Sequence, residues 1–331
     1  MDVQGEKTMK SVLRTLAAGL MGLVMAGGAA QAETFPSRTI TMVVPFAAGG
    51  PSDAIARLLA QSMSGTLGQQ VIVENIAGAG GTTAAGRVAK STPDGYTMLI
   101  HHVALAASAA LYRSLPYDTL GAFETVGLVN YGPMVVLSKK DYPANTAVEL
   151  LARLKAEGSK TTIAHAGVGS NAYLCGVLLQ KALGVQFTEV GYRGTGPAMN
   201  DLMGGQVDIL CDQSTTAVPQ VLAKSVKGFA VTSAQRLPVL KDLPTLQEAG
   251  LKGFDFIIWH ALYVPKGTPA DVVAKLNGAL NKALDDATVQ ARFADVGTSV
   301  FPAAERTTQA HRKRFEAEVA TWKAAIPTPV Q

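Results

Sequence analysis

The sequence predicts an α/β protein of two lobes with a ligand cleft between them. Three observations carry this reading. Strand-like and helix-like segments alternate from Arg38 to about Lys139, the rhythm restarts near Asp141, and a long β-like run at residues 256–264 precedes two helical patterns. Alternation of this kind makes parallel sheets covered by helices. The late run reads as a return crossing, so the first lobe is expected to be discontinuous (33–139 and 258–331), with the second lobe at 140–257.

Taken in order, residues 40–44 (ITMVV) form an apolar, β-branched strand, and VVPFAAGGPSD over residues 43–53 reads as strand end, glycine turn and helix start. Ser52 or Asp53 is placed to cap a helix running from about residue 53 to 65. A helix start carries unpaired N–H groups and about half a positive charge, so this turn can cradle a carboxylate without Lys or Arg. The same text also fits an ordinary βα turn. A strand at 70–74, a second glycine turn in NIAGAGGT (75–82), a helix at 81–89, a Pro-Asp-Gly turn at 93–95 and a strand at 96–100 follow.

The second lobe opens with a helix at 148–156 and a strand at 161–165. The turn AGVGS (166–170) leads into a helix at 171–183. Next come a strand at 187–190, the loop GYRGTGP (191–197), a helix to 203, a strand at 206–211 and a helix at 216–223. A strand at 229–231, a short helix at 243–250, the return run and helices at 269–284 and 304–325 complete the chain.

Composition bounds the function. With 48% hydrophobic and 16% charged residues, 331 residues can build a well-cored protein of two lobes. Lys10 and Arg14 precede the apolar run 16–25, and Ala30-Gln31-Ala32 has the form of a signal-peptidase site, so residues 1–32 are expected to be a secretory leader cleaved near Ala32. Without that leader the net charge falls from +4 to +3, too weak and scattered for a nucleic-acid partner. An exported, soluble protein is expected. Cys175 and Cys211 fit a disulfide or two buried thiols equally well, and neither lies in a metal-ligand or redox spacing.

Catalytic signatures are weak. Gly78-Ala-Gly-Gly-Thr-Thr83 misses the dinucleotide pattern at its last glycine, and Ser170 does not sit in a nucleophile elbow. No metal, cofactor or catalytic group is assigned. His101, His102, His165 and His260 lie at or within strand ends; His102 and His165 are the candidates to donate to a ligand carboxylate, the alternative being packed core rings. Arg193 can pair a carboxylate or stand solvated in its loop. Asp212 can cap a helix or accept from the ligand, and Phe46 and Trp259 can stack on it or pack the core.

Six motifs recur in order along the mature chain: VVPFxxGGxxD (43–53), ENxxGAGG (74–81), PDGYT (93–97), LPYD (115–118), YRGxxP (192–197) and LMGGQVD (202–208). Together they resemble the Bug-type solute-binding proteins of tripartite tricarboxylate transporters. The resemblance implies a periplasmic binding protein of type II-like, two-lobed fold that closes on a small carboxylate and hands it to a membrane permease; a monomer without catalytic activity is expected. It also implies that backbone N–H groups and ordered water hold the carboxylates. Carried onto this chain, the ligand-binding positions are Ala48, Gly49, Gly50, Ser52 and Asp53, then Ala79 and Gly80, then Gly169, Ser170 and Asn171, and Asp212. Two departures stand out: Ala47-Ala48 replaces a frequent proline, and His101-His102 replaces small or hydroxyl residues. The paired imidazoles make an aromatic dicarboxylate such as terephthalate the leading expectation. Aliphatic di- and tricarboxylates, acidic amino acids, a sensor partner and an exported enzyme are the alternatives.

Overall fold

β1 (Ile40–Val44) lies between two parallel neighbours, β2 (Val71–Asn75) and β3 (Thr97–His102), as its β-branched sequence requires for a strand covered on both faces. The computed structural model describes residues 34–326 and Pro329, so the expected leader at 1–32 lies outside the described residues. All elements named below belong to the unit beginning at Arg38.

The connection from β1 to β2 is α1 (Pro51–Leu67). Gly50 is its extended N-cap, Pro51 fits the first turn with its fixed φ, and Gly68 ends it in the left-handed conformation. Ile55, Leu59 and Met63 recur every four residues and are fully buried, each contributing about 1.5–3 kcal/mol of apolar burial. α2 (Thr82–Ala89) leads to β3, and α3 (Ala104–Leu111) follows it.

β4 (Phe123–Ser138) connects two sheet regions. Its first part, to Pro133, pairs antiparallel with β9 (Ile257–Pro265), which in turn pairs with β3. Its last part, Met134 to Ser138, lies between β7 (Ile209–Gln213) and β8 (Lys227–Val231). β5 (Thr162–His165) runs parallel to β7 and to β6 (Thr188–Gly191), giving the strand path β2-β1-β3-β9-β4-β7-β5-β6. In the second region α4 (Ala147–Glu157), α5 (Asn171–Leu183), α6 (Thr195–Met203) and α7 (Ser214–Leu222) accompany the strands. α8 (Ala270–Asp285), α9 (Ala287–Asp295), the short β10 (Ser299–Val300) and α10 (Thr308–Ala325) follow β9, and α10 packs on α3.

The expected helix at 243–250 does not form. Thr245 bridges Val231 instead, with the Val231 N–H donating to Pro244 O and the Leu246 N–H to Val231 O, so this backbone extends the sheet edge.

Cys175 and Cys211 form a disulfide that joins α5 to β7 across 36 positions of sequence. Replacing both by Ala is expected to lower the unfolding free energy by about 3 kcal/mol through the freed unfolded chain, measured by urea titration. A loss below about 1 kcal/mol would show that packing of the two elements suffices without the bond.

Candidate functional site

The carboxyl ends of β1, β3, β5 and β7 converge on one cavity, the place where ligands of open α/β sheets bind. From the first lobe come Phe46, Ala47, Gly50, Ser52, Asp53 and His102. The second lobe supplies Ala166, Ser170, Asn171, Thr195, Asp212 and Gln213, with Met134 of β4 between them. Four helices start here: Gly50, Ser170, Gly194 and Gln213 are the N-caps of α1, α5, α6 and α7. A helix start carries about half a positive charge and N–H groups without a partner inside the helix, so four starts at one cavity favour an anion there. Among the residues lining it there is no Lys or Arg.

The turn after β1 is held by Asp53, but not as a helix cap. Its carboxylate accepts from the Gly49 N–H at 3.0 Å, from Arg57 Nε at 3.1 Å and Nη2 at 3.0 Å, and from Asn75 Nδ2 at 3.0 Å. Asn75 also donates to Phe46 O at 3.0 Å, so the glycine turn is tied to β2 at both ends. Gly50 occupies the cap position two residues ahead of where Ser52 was expected, because Pro51 accepts the first helical φ. Burial alone would raise the Asp53 carboxyl, but Arg57, the Gly49 N–H and Asn75 together hold it below 3.8. Asp53→Ala is expected to cost about 2 kcal/mol of stability and to weaken ligand capture by releasing the turn. Equal melting and equal titration curves in the variant would assign the turn's shape to backbone bonds alone.

Three histidines stand behind and beside the first-lobe wall. Phe46 stacks on His102 with centroids 4.9 Å apart and planes 13° apart, while His101 and His260 meet His102 edge-on at 4.9 and 5.6 Å. The His102 N–H donates to His101 Nδ1 at 2.9 Å and the Ala104 N–H to His102 Nδ1 at 3.2 Å. Both neutral rings therefore carry their proton on Nε2, an assignment made from these partners. Burial pushes His101 and His260 down to about 3 and holds His102 well below its ordinary value. His260 Nε2 lies 3.1 Å from Ser52 Oγ. The wall thus offers His102 as a neutral donor.

The second-lobe wall has polar capacity to spare. Asn171 has no partner for either side-chain amide atom, and Gln213 Oε1 and Asp212 Oδ1 are also unpartnered although buried. Ser170 caps α5 by accepting from the Tyr173 N–H at 3.2 Å. Buried polar atoms in native proteins are paired, so these atoms have capacity to bond a polar solute or water in the cavity.

The remaining sequence candidates lie on the rim or behind the wall. Ala79, Gly80 and Gly169 surround Tyr112, whose hydroxyl is shared between Ala79 O at 2.9 Å and Val168 O at 2.7 Å across the cleft. Gly49 gives its N–H to Asp53, and Ala48 touches Gly196. Arg193 is exposed and contributes its carbonyl, which accepts from the Ala47 N–H at 3.0 Å. His165 packs on Tyr173 and accepts from the Gly167 N–H at 3.0 Å, with Nε2 4.0 Å from Glu189; it shapes the turn and does not line the cavity. Trp259 is core and donates to Glu318 at 3.2 Å. Sequence reasoning did not single out Met134, Ala166 or Gln213, which bear no chemical signature. Thr195 was within reach, since it sits inside the quoted loop motif.

Two α/β lobes closed by rim contacts around a polar cavity with no Lys or Arg in its lining define a solute-binding protein of the two-lobe class. The chain belongs to the family described as the tripartite tricarboxylate transporter family receptor (TctC), whose model matches residues 55–328. A UPF0065 protein from the TAR-I ttuE-ttuC' intergenic region of Agrobacterium vitis is 46% identical over 306 residues, covering 92% of this chain and 88% of that protein. The solved structure of the periplasmic binding protein BugD has 43% identity and a TM-score of 0.86, covering 88% of this chain and 98% of its own. MatC from Rhodopseudomonas palustris, solved with bound malate, has 40% identity and a TM-score of 0.85, covering 88% and 100%. Among the described residues no helix is long and apolar enough to cross a membrane, and no group of three His, Cys, Asp or Glu could hold a metal ion.

Proposed function

We propose that this chain is a periplasmic receptor that captures a short dicarboxylate between lobes 33–139 with 258–331 and 140–257, and delivers it as a monomer to a membrane permease without transforming it. The observation that carries this reading is the convergence of four helix starts on a cavity whose lining includes no Lys or Arg. Such a site favours carboxylates through backbone N–H groups, at no cost in desolvating a cation. The malate in MatC supports the same class. Terephthalate is the second reading, favoured by the Phe46–His102 stack on the wall.

The test is a thermal-shift screen of residues 33–331 against malate, succinate, adipate, terephthalate, nicotinate and acidic amino acids. A ligand at a hundred times its Kd adds about 2.7 kcal/mol, a shift of several degrees. A response led by malate or succinate supports the short-diacid reading, and one led by terephthalate moves the assignment to aromatic diacids. Silence to all of them in a folded, ligand-free sample overturns the carboxylate reading. Capture of a sensor domain in place of a permease would replace the transport role.

A further inference from the structure

We propose that Asp212 and one carboxylate of the bound diacid share a single proton, so that capture draws that proton from solvent; this rests on the dicarboxylate reading above. Asp212 ends β7 and is completely buried, yet it lines the cavity. Its Oδ2 accepts from the Thr216 hydroxyl of α7, and its Oδ1 has no partner.

The groups packed around it offer no compensating charge. β4 places Val135 opposite Asp212, and β5 contributes Ile163 and Ala164 beside β7 and ends in His165, which burial keeps toward its neutral form. α5 supplies Ser170 and Asn171, α6 Thr195, and α7 Ser214 and Thr216. Across the cavity, Asp53 is already paired with Arg57, and His102 is neutral. A dianion seated here therefore meets a buried carboxylate with no cation between them. Two carboxyl groups within hydrogen-bond reach in a poorly solvated site hold one proton between them, because both cannot stay ionised. Burial has already brought the Asp212 carboxyl up to about 6, against the opposing pull of Thr216, the Gln213 N–H and Thr195. The ligand's charge adds to burial in the same direction. The proton leaves solvent, bridges Oδ1 and a ligand oxygen, and returns to solvent on release.

The rival is an ionised Asp212 that accepts from a hydroxyl or ammonium on the ligand. Succinate has neither donor and malate has the hydroxyl, so the two separate the cases. Isothermal titration of both at pH 7.5, in buffers of different ionisation heat, counts the protons. The expected result is uptake close to one proton with either diacid, and a Kd that rises up to tenfold per pH unit above pH 7. Asp212→Asn is expected to abolish uptake, to flatten the Kd between pH 6.5 and 8, and to bind at pH 8 at least as tightly as the parent. Binding without uptake, or uptake that persists in Asp212→Asn, overturns this inference alone. A parent protein that binds neither diacid overturns the short-dicarboxylate reading and this one with it. The proton count on the parent protein requires no variant, so misfolding of Asp212→Asn leaves the test intact.

Discussion

Gly80→Ala is expected to weaken diacid binding at least a thousandfold, about 4 kcal/mol, while leaving each lobe folded. Gly80 sits at φ 60° on the first-lobe rim, and a Cβ there would lie 1.8 Å from Val168 O and 3.0 Å from the Tyr112 hydroxyl. Val168 belongs to the turn after β5, so the obstacle is second-lobe backbone and cannot rotate away as a side chain would. The added methyl is relieved by holding the lobes apart at the rim. Separation opens the Tyr112–Val168 bond and the Ala47–Arg193 bond, and leaves the two halves of the cavity unable to contact one ligand together. A receptor whose competent closed state is scarcely populated loses apparent affinity by that fraction. Left-handed backbone also costs an alanine about 1–2 kcal/mol, so the control is Gly205→Ala. Gly205 has φ 74° and nothing within 4 Å of an added Cβ. The control is expected to lose stability and keep affinity, whereas Gly80→Ala loses affinity and fails to contract on ligand addition in small-angle scattering. Parent-like affinity in Gly80→Ala would mean that ligand capture does not require this rim to close.

The parallel strands were legible because β-branched runs such as ITMVV stand out against the glycine turns and amphipathic helices beside them. β4 was not, although it is the longest strand. Gly127, Gly132 and Pro133 break its text, and the structure explains the first two by close approach: a Cβ at Gly127 would fall 2.9 Å from Asn277 and Leu280 of α8, and one at Gly132 3.1 Å from Thr298. α3 escaped notice for the opposite reason, since nearly all of ALAASAAL is buried and no polar face marks a period. In the site, the turns at 46–53 and 170–171 could be found from glycines and caps, whereas Met134 and Gln213 are placed by register, as opposite partners on β4 and β7. Asp53 was expected as a helix cap and instead ties the turn to α1 and β2, because its partners Arg57 and Asn75 are brought together by those elements. The disulfide was equally hidden: only the packing of α5 on β7 brings residues 36 positions apart to a Cα separation of 6.2 Å.

Between pH 6.5 and pH 5 the protein is expected to lose on the order of 5 kcal/mol of stability, about a third to all of what a typical domain possesses. His101, His102, His260 and His311 are at most 2% exposed. Burial lowers all four, to about 3 for His101 and His260 and well below 6.5 for the other two. In the unfolded chain each takes up a proton near 6.5. The unfolded state therefore binds protons first, so the stability these rings confer is fully present above pH 6.5 and is lost as the pH falls toward the folded values. Over this interval each ring accounts for about 1.5 kcal/mol. Asp212 acts with the opposite sign, since its folded value of about 6 lies above the ordinary 3.8, and it returns about 1 kcal/mol over the same interval. Asp53 and Asp208, both lowered from 3.8, lose their contributions only below that value and leave this window clear. Guanidinium titrations at pH 7.5, 6.5, 5.5 and 5.0 measure the slope. His311 isolates one ring, because neither nitrogen has a partner and it packs on Tyr263 and Phe315. His311→Phe is expected to lower the limiting slope by about 1.4 kcal/mol per pH unit and to keep the fold at neutral pH. Stability that stays level from pH 7.5 to pH 5.0 would mean that these imidazoles gain protons within the folded protein, and the neutral donor assigned to His102 would fall with it.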